Sequence, residues 1–196
     1  MKLLMERTHE EGMTFHAGIQ PRNYYEDGVQ QIRVIKSRDA LSNSLTSGRN
    51  NMICELCCGT ADISGPFSDN HTVFAFDCNA AALEVAKERF PMISLAGAIP
   101  KNPLACDVLV MCECLEHLQE PEKLVKAWGP LAERMVISHP IDGDLICDAS
   151  ADEHQWSFSI DDFQNWFKMA GHEIVEQERF VIGGTYDIAL ARSRRV

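Results

Sequence analysis

The 196-residue chain contains no long apolar run and no internal repeat or low-complexity segment. Nothing approaches the roughly 18 consecutive apolar residues of a membrane-spanning helix, which argues against a membrane protein. The N-terminus carries Glu6, Arg7, Glu10 and Glu11 where a secretory signal peptide would need its apolar core. We therefore expect a cytoplasmic protein of one domain, since this length suffices for a single sizeable core.

Positive charge is scarce, and its scarcity is uneven along the chain. The net charge is −11; residues 1–50 hold seven Lys/Arg and six Asp/Glu, whereas residues 51–196 hold eleven and twenty-three. An acidic body repels phosphate backbones, which argues against non-specific nucleic-acid binding. We interpret the two basic groups as solvated surface. They are Arg22, Arg33, Lys36 and Arg38, and the tail Arg192–Arg195.

The eight cysteines do not suggest a disulfide framework, because most fall in or beside predicted buried strands, where thiols act as small hydrophobes. This usage fits a reducing compartment. Cys54-x-x-Cys57 and Cys112-x-Cys114 resemble zinc-ligand spacings only partly, since the second is not a usual zinc knuckle. We prefer buried strand ends for both.

Apolar runs alternate with helix-forming segments from residue 51 onward, a pattern typical of α/β proteins. Five predicted strands are followed by a closing antiparallel pair, and the helices between them begin or end at recognisable caps. The strands are 51–54, 73–76, 92–96, 107–111, 134–138, 173–181 and 185–191; the helices are 80–90, 121–128 and 160–170. We predict a Rossmann-like, doubly wound seven-stranded sheet, mostly parallel with the last strand antiparallel, and helices on both faces.

Two regions follow from this pattern. Residues 1–45 are expected to form an N-terminal helical arm or cap, loose over 1–20 and helical from Asn23 to Leu45. Residues 46–196 are expected to form the ligand-binding domain.

The run Glu55-Leu56-Cys57-Cys58-Gly59-Thr60-Ala61-Asp62 follows the first predicted strand, and the second strand ends in Asp77. A strand, a tight turn, a helix and a strand ending in an acid is how a Rossmann-type half-fold holds an adenosine-containing cofactor. Gly59 allows a sharp turn and a close approach of the backbone, and Asp77 can accept hydrogen bonds from ribose hydroxyls. A dinucleotide oxidoreductase would need more glycines than the one present here, so that alternative is weak.

This stretch resembles motif I of the class I S-adenosylmethionine (SAM) methyltransferases, E/D-x-G-x-G-x-G, with Cys57 and Ala61 at the first and last glycine positions. The resemblance extends over about residues 50–192. It implies that Glu55 reaches the methionine end of SAM and that Asp77 binds the ribose. The full cofactor set implied is Glu55, Cys57, Gly59, Asp77, Cys78, Ala98 and Cys112.

A second constellation, Cys112-Glu113-Cys114-Leu115-Glu116-His117-Leu118, follows the fourth predicted strand. Ligands in open α/β sheets bind at this end of the strands. If the segment begins a helical turn, Glu113, Glu116 and His117 share one face. Two carboxylates and an imidazole can hold a divalent cation, or they can supply a general base and its orienting partner.

The segment resembles the E-x-x-E-H signature of two methyltransferase groups, the ubiquinone-pathway O-methyltransferases and the small-RNA 3′-terminal 2′-O-methyltransferases. In the RNA group a later histidine is a fourth ligand, and His154 has similar spacing here. The resemblance implies Mg²⁺ or Mn²⁺ at Glu113, Glu116, His117 and His154, with His117, Glu116 and His154 catalytic. A metal-free acid–base site and a purely structural loop anchor remain alternatives.

We therefore predict a SAM-dependent methyltransferase acting on an oxygen of a small molecule or nucleoside, with the cap over the acceptor. Three alternatives stay open: N-methylation, methylation of an RNA 3′ end, and a SAM-binding scaffold without turnover. The sequence leaves the acceptor and the oligomeric state undetermined.

Overall fold

The computed structural model describes residues 1–18, 28, 30–141, 154–182 and 186–196. Several positions named above lie outside these residues: Arg22, the first part of the helix predicted from Asn23, and the turn predicted between the last two strands.

The nine strands of the described residues are, in chain order, β1 (Lys2–Leu3), β2 (Met52–Leu56), β3 (Thr72–Phe76), β4 (Ser94–Ala96), β5 (Cys106–Cys112), β6 (Ala132–Pro140), β7 (Trp156–Ser157), β8 (His172–Ile182) and β9 (Tyr186–Arg195). Seven of them form one sheet in the order β4-β3-β2-β5-β6-β9-β8, parallel except where β9 joins β6 and β8. The predicted seven-stranded α/β fold is confirmed. β1 and β7 form a separate antiparallel pair.

The helices of the described residues are α1 (His9–Ala17), α2 (Gln31–Ser42), α3 (Ala80–Arg89), α4 (Pro121–Trp128) and α5 (Ile160–Met169). Helices α2 and α3 cover one face of the sheet and α4 and α5 the other, and side chains along β5 alternate between the two apolar clusters that result. Leu109 and Met111 pack with Trp128 of α4 and Trp166 of α5, in the first cluster. Val108 and Val110 belong to the second, with Leu41 of α2 and Ala86 of α3. A strand buried on both faces reads as the continuous apolar run seen in the sequence.

The expected caps are present. Asn79 accepts a hydrogen bond from the Ala82 amide at 3.0 Å, and Ser159 and Asp162 form a capping box at the start of α5. β4 begins two residues later than predicted, because Met92 stays largely exposed. No helix among the described segments is both long and apolar enough to cross a membrane.

The expectation that residues 1–20 form a loose arm is wrong for the described part, residues 1–18. They contain β1 and α1, and α1 begins at a capping box made by Thr8 and Glu11. The terminal ammonium group pairs with Asp162 at 2.6 Å, and the Leu4 amide donates to the Gln155 carbonyl at 2.8 Å. The N-terminal segment is therefore anchored to the second half of the chain.

Candidate functional site

The turn after β2 has an unusual backbone. Cys57, Gly59 and Ala61 have φ values of 56°, 51° and 55°, so alternate residues lie in the left-handed region. Only glycine enters that region without steric cost. These are the three positions at which the resembled motif carries glycine. The backbone thus keeps the glycine-type turn although two of its side chains are not hydrogen.

Replacing Gly59 with alanine should lower the free energy of unfolding by about 1–2 kcal/mol, the cost of a left-handed residue with a Cβ atom. The new methyl group would meet nothing within 4 Å, so backbone conformation is the cause. Gly97→Ala is a matched control, because its Cβ also meets nothing and its φ is not in the left-handed range. Urea unfolding should leave that variant unchanged or slightly more stable. Equal effects at the two positions would contradict the assignment.

Asp77, at the end of β3, fastens this turn. One carboxylate oxygen accepts the Gly59 amide at 2.7 Å, and the other accepts the Asn79 amide at 2.8 Å. The side chain remains partly exposed. An ionised carboxylate offers about four acceptor positions, and hydrogen bonds from the described residues occupy two of those on Asp77.

Glu55, in β2, lies beneath the turn and is 3% exposed. Its carboxylate accepts hydrogen bonds from the Ser64 amide, at 3.2 Å, and from the Ser64 hydroxyl. Burial raises the pKa of Glu55 to about 7, with smaller contributions from Asp62 and Asp77, while the Ser64 bonds oppose the rise. A buried acid that titrates near neutrality can respond to a cationic ligand by releasing its proton.

The raised pKa of Glu55 predicts a pH-dependent loss of stability. Its contribution is fully present below the ordinary value of 4.5 and is lost as pH rises to about 7. Over that window the wild-type protein should lose about 3 kcal/mol relative to Glu55→Gln, which cannot titrate. Denaturant unfolding of both proteins from pH 4.5 to 8 measures the difference. A difference that does not change with pH would contradict it.

The other predicted cofactor contacts lie around the same end of the sheet. Cys112, at the end of β5, is buried, and burial raises the pKa of its thiol to about 12. Cys78 is partly buried, with its pKa raised to about 11 mainly by burial, and Ala98 is exposed. Their roles in cofactor binding stay predictions.

Glu116, His117 and His154 form a cluster in which one ligand atom from each lies within 4.8 Å of the others. Glu116 is 1% exposed, and neither of its carboxylate oxygens has a hydrogen-bond partner among the described residues. Nδ1 of His154, also buried, likewise lacks one within that set. Buried carboxylates are normally paired or bound to a cation, so this donor set fits a divalent metal ion.

Main-chain contacts hold the two halves of the cluster together. Glu116 and His117 lie in a 3-10 turn, Leu115–His117, and His154 precedes β7. The Gln155 amide donates to the Glu116 carbonyl at 2.8 Å, and its side-chain amide donates to the His117 carbonyl at 2.6 Å. His154 is thereby fixed beside residues almost forty positions earlier in the chain.

Burial shifts the charges of the cluster. It raises the pKa of Glu116 well above its usual value, and the nearby Glu113 adds to the rise. It lowers the pKa of His154 to about 4, so this imidazole is neutral at pH 7 and has a lone pair. A neutral imidazole can accept a proton or bind a metal ion.

Glu113 is placed differently from the other members of the motif. Glu113 lies before the 3-10 turn and has a φ of 51°, so its backbone is not helical. It therefore does not share a helical face with Glu116 and His117, as their spacing had suggested. Its carboxylate pairs with Arg33 of α2 at 3.3 Å and accepts the Ser138 hydroxyl at 3.1 Å. The pairing ties the predicted cap to the site. A role for Glu113 as a metal ligand stays a prediction.

His16, in α1, gave no signal in the sequence, yet its ring lies against His117 with centroids 4.7 Å apart. His117 in turn contacts the His154 ring at 4.9 Å. The His16 carbonyl accepts a hydrogen bond from the Asn79 side-chain amide at 3.1 Å. Helix α1 therefore contacts both the start of α3, close to Asp77, and the cluster of Glu116, His117 and His154. The Thr8-x-x-Glu11 capping box could have predicted α1, but nothing local predicts where His16 lies.

No family model and no curated protein sequence matches the chain. Solved structures do match. Magnesium protoporphyrin IX methyltransferase (ChlM) from Synechocystis PCC 6803 with bound SAM has a TM-score of 0.71 at 12% identity, over 96% of this chain and 92% of that one.

The N-methyltransferase NodS from Bradyrhizobium japonicum WM9, in complex with S-adenosylhomocysteine (SAH), gives 0.70 at 16% identity over 97% and 99% of the two chains. The [4+2]-cyclase SpnF gives 0.67 at 10% identity over 91% and 84%. At such identities the likeness establishes architecture, and the cyclase illustrates that one fold carries more than one reaction. The chain has the Rossmann-like fold of SAM-dependent methyltransferases.

Proposed function

We propose that the chain is a SAM-dependent methyltransferase that methylates an oxygen of a small molecule or nucleoside. The main support is the turn with left-handed residues at Cys57, Gly59 and Ala61, which lies at the carboxyl end of the parallel strands. Asp77 holds this turn by accepting a hydrogen bond from the Gly59 amide. The SAM- and SAH-bound neighbours support the same cofactor. A buried cluster of donor atoms lies after the adjoining strand β5.

Asp77 and Glu55 are assigned to different parts of the cofactor. The acceptor positions of Asp77 that no described residue occupies suit the vicinal ribose hydroxyls. Glu55 suits the ammonium group at the methionine end, because a cation would draw the buried carboxyl into its ionised form. Bound SAM would supply an activated methyl carbon. The chain then has only to orient an acceptor and remove its proton.

In the absence of a metal ion, we assign proton removal to the imidazoles, because a lone pair bound to a metal cannot accept a proton. His154 is neutral at pH 7, buried, and lacks a described partner at Nδ1. His117 lies between His154 and Glu116, with Nε2 3.8 Å from the nearer Glu116 oxygen. Glu116 can therefore help to orient His117, while His154 or His117 takes up the proton of the acceptor hydroxyl.

A divalent ion, Mg²⁺ or Mn²⁺, would be held by Glu116, His117 and His154. Bound there, it would lower the pKa of an acceptor hydroxyl and fix a pair of neighbouring oxygens. The preference for oxygen over nitrogen rests on this donor set, because an amine needs less help in losing its proton.

Calorimetric titration with SAH tests the cofactor assignment, with a dissociation constant of roughly 1 µM to 1 mM expected by analogy with typical Michaelis constants.

Turnover of SAM with catechols, aliphatic diols, nucleosides and amines, each with Mn²⁺ or EDTA, then tests the reaction. Diol or catechol methylation lost in EDTA supports the proposal. Amine methylation that survives EDTA favours N-transfer, and SAH binding without turnover on the panel favours a scaffold. A protein that binds neither SAM nor SAH refutes the assignment.

Methylation of an RNA 3′ end is a second candidate, favoured by the proximity of His154 to Glu116 and His117. The acidic body opposes it. A short RNA with a free 3′ diol should bind with an affinity that falls steeply with salt if this candidate is right.

A further inference from the structure

The thiols of Cys57 and Cys114 are in contact between the turn after β2 and the loop that carries Glu116. Cys57 begins the left-handed turn after β2, and Cys114 follows β5 immediately before the 3-10 turn that carries Glu116. The Cys114 thiol donates to the Cys57 sulfur, with the two sulfur atoms 2.6 Å apart. β2 and β5 are adjacent parallel strands, so both loops leave the same edge of the sheet.

The two sulfur atoms differ in access. Cys114 is fully buried, whereas Cys57 is only partly buried and packs at the border of the core. A reagent in the cofactor site can therefore reach Cys57 first. Sulfur atoms in a disulfide are about 2.05 Å apart, so closure needs a movement of roughly 0.5 Å.

Another pair serves as an internal comparison. Cys54 and Cys106 also interact through their side chains. Both are buried within the sheet, where a soluble oxidant has no access. Cys78 is partly buried beside the same turn and provides a thiol of comparable access.

We propose that Cys57 and Cys114 are a peroxide-sensitive pair whose disulfide reduces access to the cofactor site. The Cys57 thiolate attacks one oxygen of hydrogen peroxide, breaking the O–O bond and giving a sulfenic acid and hydroxide. The Cys114 thiol then attacks that sulfur and water leaves. Hydroxide takes up the proton lost by Cys57, so two thiols and one peroxide give one disulfide and two waters.

The effect on binding rests on the proposed function. Cys57 occupies the turn assigned to SAM, so a bound ligand covers its sulfur and should slow the first step. A disulfide holds the turn against the Glu116 loop and removes the freedom of the turn to adjust to a ligand. Binding and oxidation are then coupled, and oxidation should weaken SAH about tenfold, within the usual range of coupling between sites.

The chemical part is tested without any ligand. Reduced protein is treated with a small excess of hydrogen peroxide, and intact mass, a non-reducing peptide map and thermal unfolding are recorded. We expect a loss of two hydrogen atoms, a Cys57–Cys114 cross-link, and a rise in Tm of about 5 °C or more because a long loop is closed. Cys57→Gly and Cys114→Ala should each abolish the cross-link, and Cys78→Ser should retain it. A Cys54–Cys106 cross-link, or added oxygen at Cys57 without a cross-link, would overturn the proposal.

The functional part uses SAH titration of the reduced, oxidised and re-reduced protein. About tenfold weaker binding after oxidation, restored by dithiothreitol, supports it, as does slower oxidation with SAH present. Equal affinity in the oxidised and reduced states would overturn control of the site. If the reduced protein does not bind SAH, the proposed cofactor fails, while the peptide map still decides the disulfide.

Discussion

Asp77→Ala is expected to weaken SAH binding by roughly a hundredfold or more. Two hydrogen bonds from ribose hydroxyls to a charged acceptor contribute together about 3 kcal/mol or more, and the substitution removes both. It also releases the Gly59 and Asn79 amides, which the Asp77 carboxylate holds at 2.7 and 2.8 Å. Isothermal titration calorimetry measures the loss.

Asp77→Asn separates the two contributions to that loss. Asparagine keeps one acceptor oxygen and loses the charge, so its affinity should lie between those of the wild-type protein and the alanine variant. Asp69→Asn is the matched control, because Asp69 is an exposed acid that precedes the same strand. Its affinity for SAH should be unchanged. Tight SAH binding by a folded Asp77→Ala protein would show that the ribose lies elsewhere.

Glu116→Gln is expected to have opposite effects with and without metal. In EDTA the variant should be more stable than the wild-type protein at pH 7, because the wild-type protein must either bury a charge or take up a proton at Glu116, whose oxygens have no hydrogen-bond partner among the described residues, whereas the amide needs neither. A cost of about 1–3 kcal/mol for such a group corresponds to a Tm rise of roughly 2 to 12 °C in a chain of this length. With saturating Mn²⁺ the order should reverse, because only the wild-type protein gains stability from the ion.

Thermal unfolding in EDTA and across a Mn²⁺ series tests this directly. Glu88→Gln, an exposed acid on α3, should show neither effect and controls for the loss of one negative charge. Loss of stability in EDTA for Glu116→Gln would mean that the carboxylate has a stabilising partner. An equal Mn²⁺ response in the variant and the wild-type protein would remove the metal from the mechanism.

Prediction from sequence succeeded where the cause is local. The seven-stranded fold was predicted from apolar runs that alternate with helix-forming segments, from the caps Asn79 and Ser159, and from the continuous apolar run in β5. Prediction was weaker where a residue's place depends on a distant partner. Glu113 shares a motif with Glu116 and His117, but its carboxylate is held by Arg33 and Ser138. Spacing along the chain contains no information about that competition.

The N-terminus shows the same limit. Residues 1–18 carry weak periodicity, and their order comes from pairing of β1 with β7 and from the terminal ammonium on Asp162. His16 lies in the site because this anchoring places α1 against Asn79 and His117.

By itself, the sequence determined the chain order of the seven sheet strands and of the helices α3, α4 and α5, the acid after β3 and the small-residue turn after β2, because backbone preferences and side-chain periodicity act over a few residues. Only the tertiary structure decided that Cys57 touches Cys114 and that α1 places His16 against His117. Such contacts join residues far apart in the chain, and they form when the whole core closes and each buried polar group competes for the partners within reach.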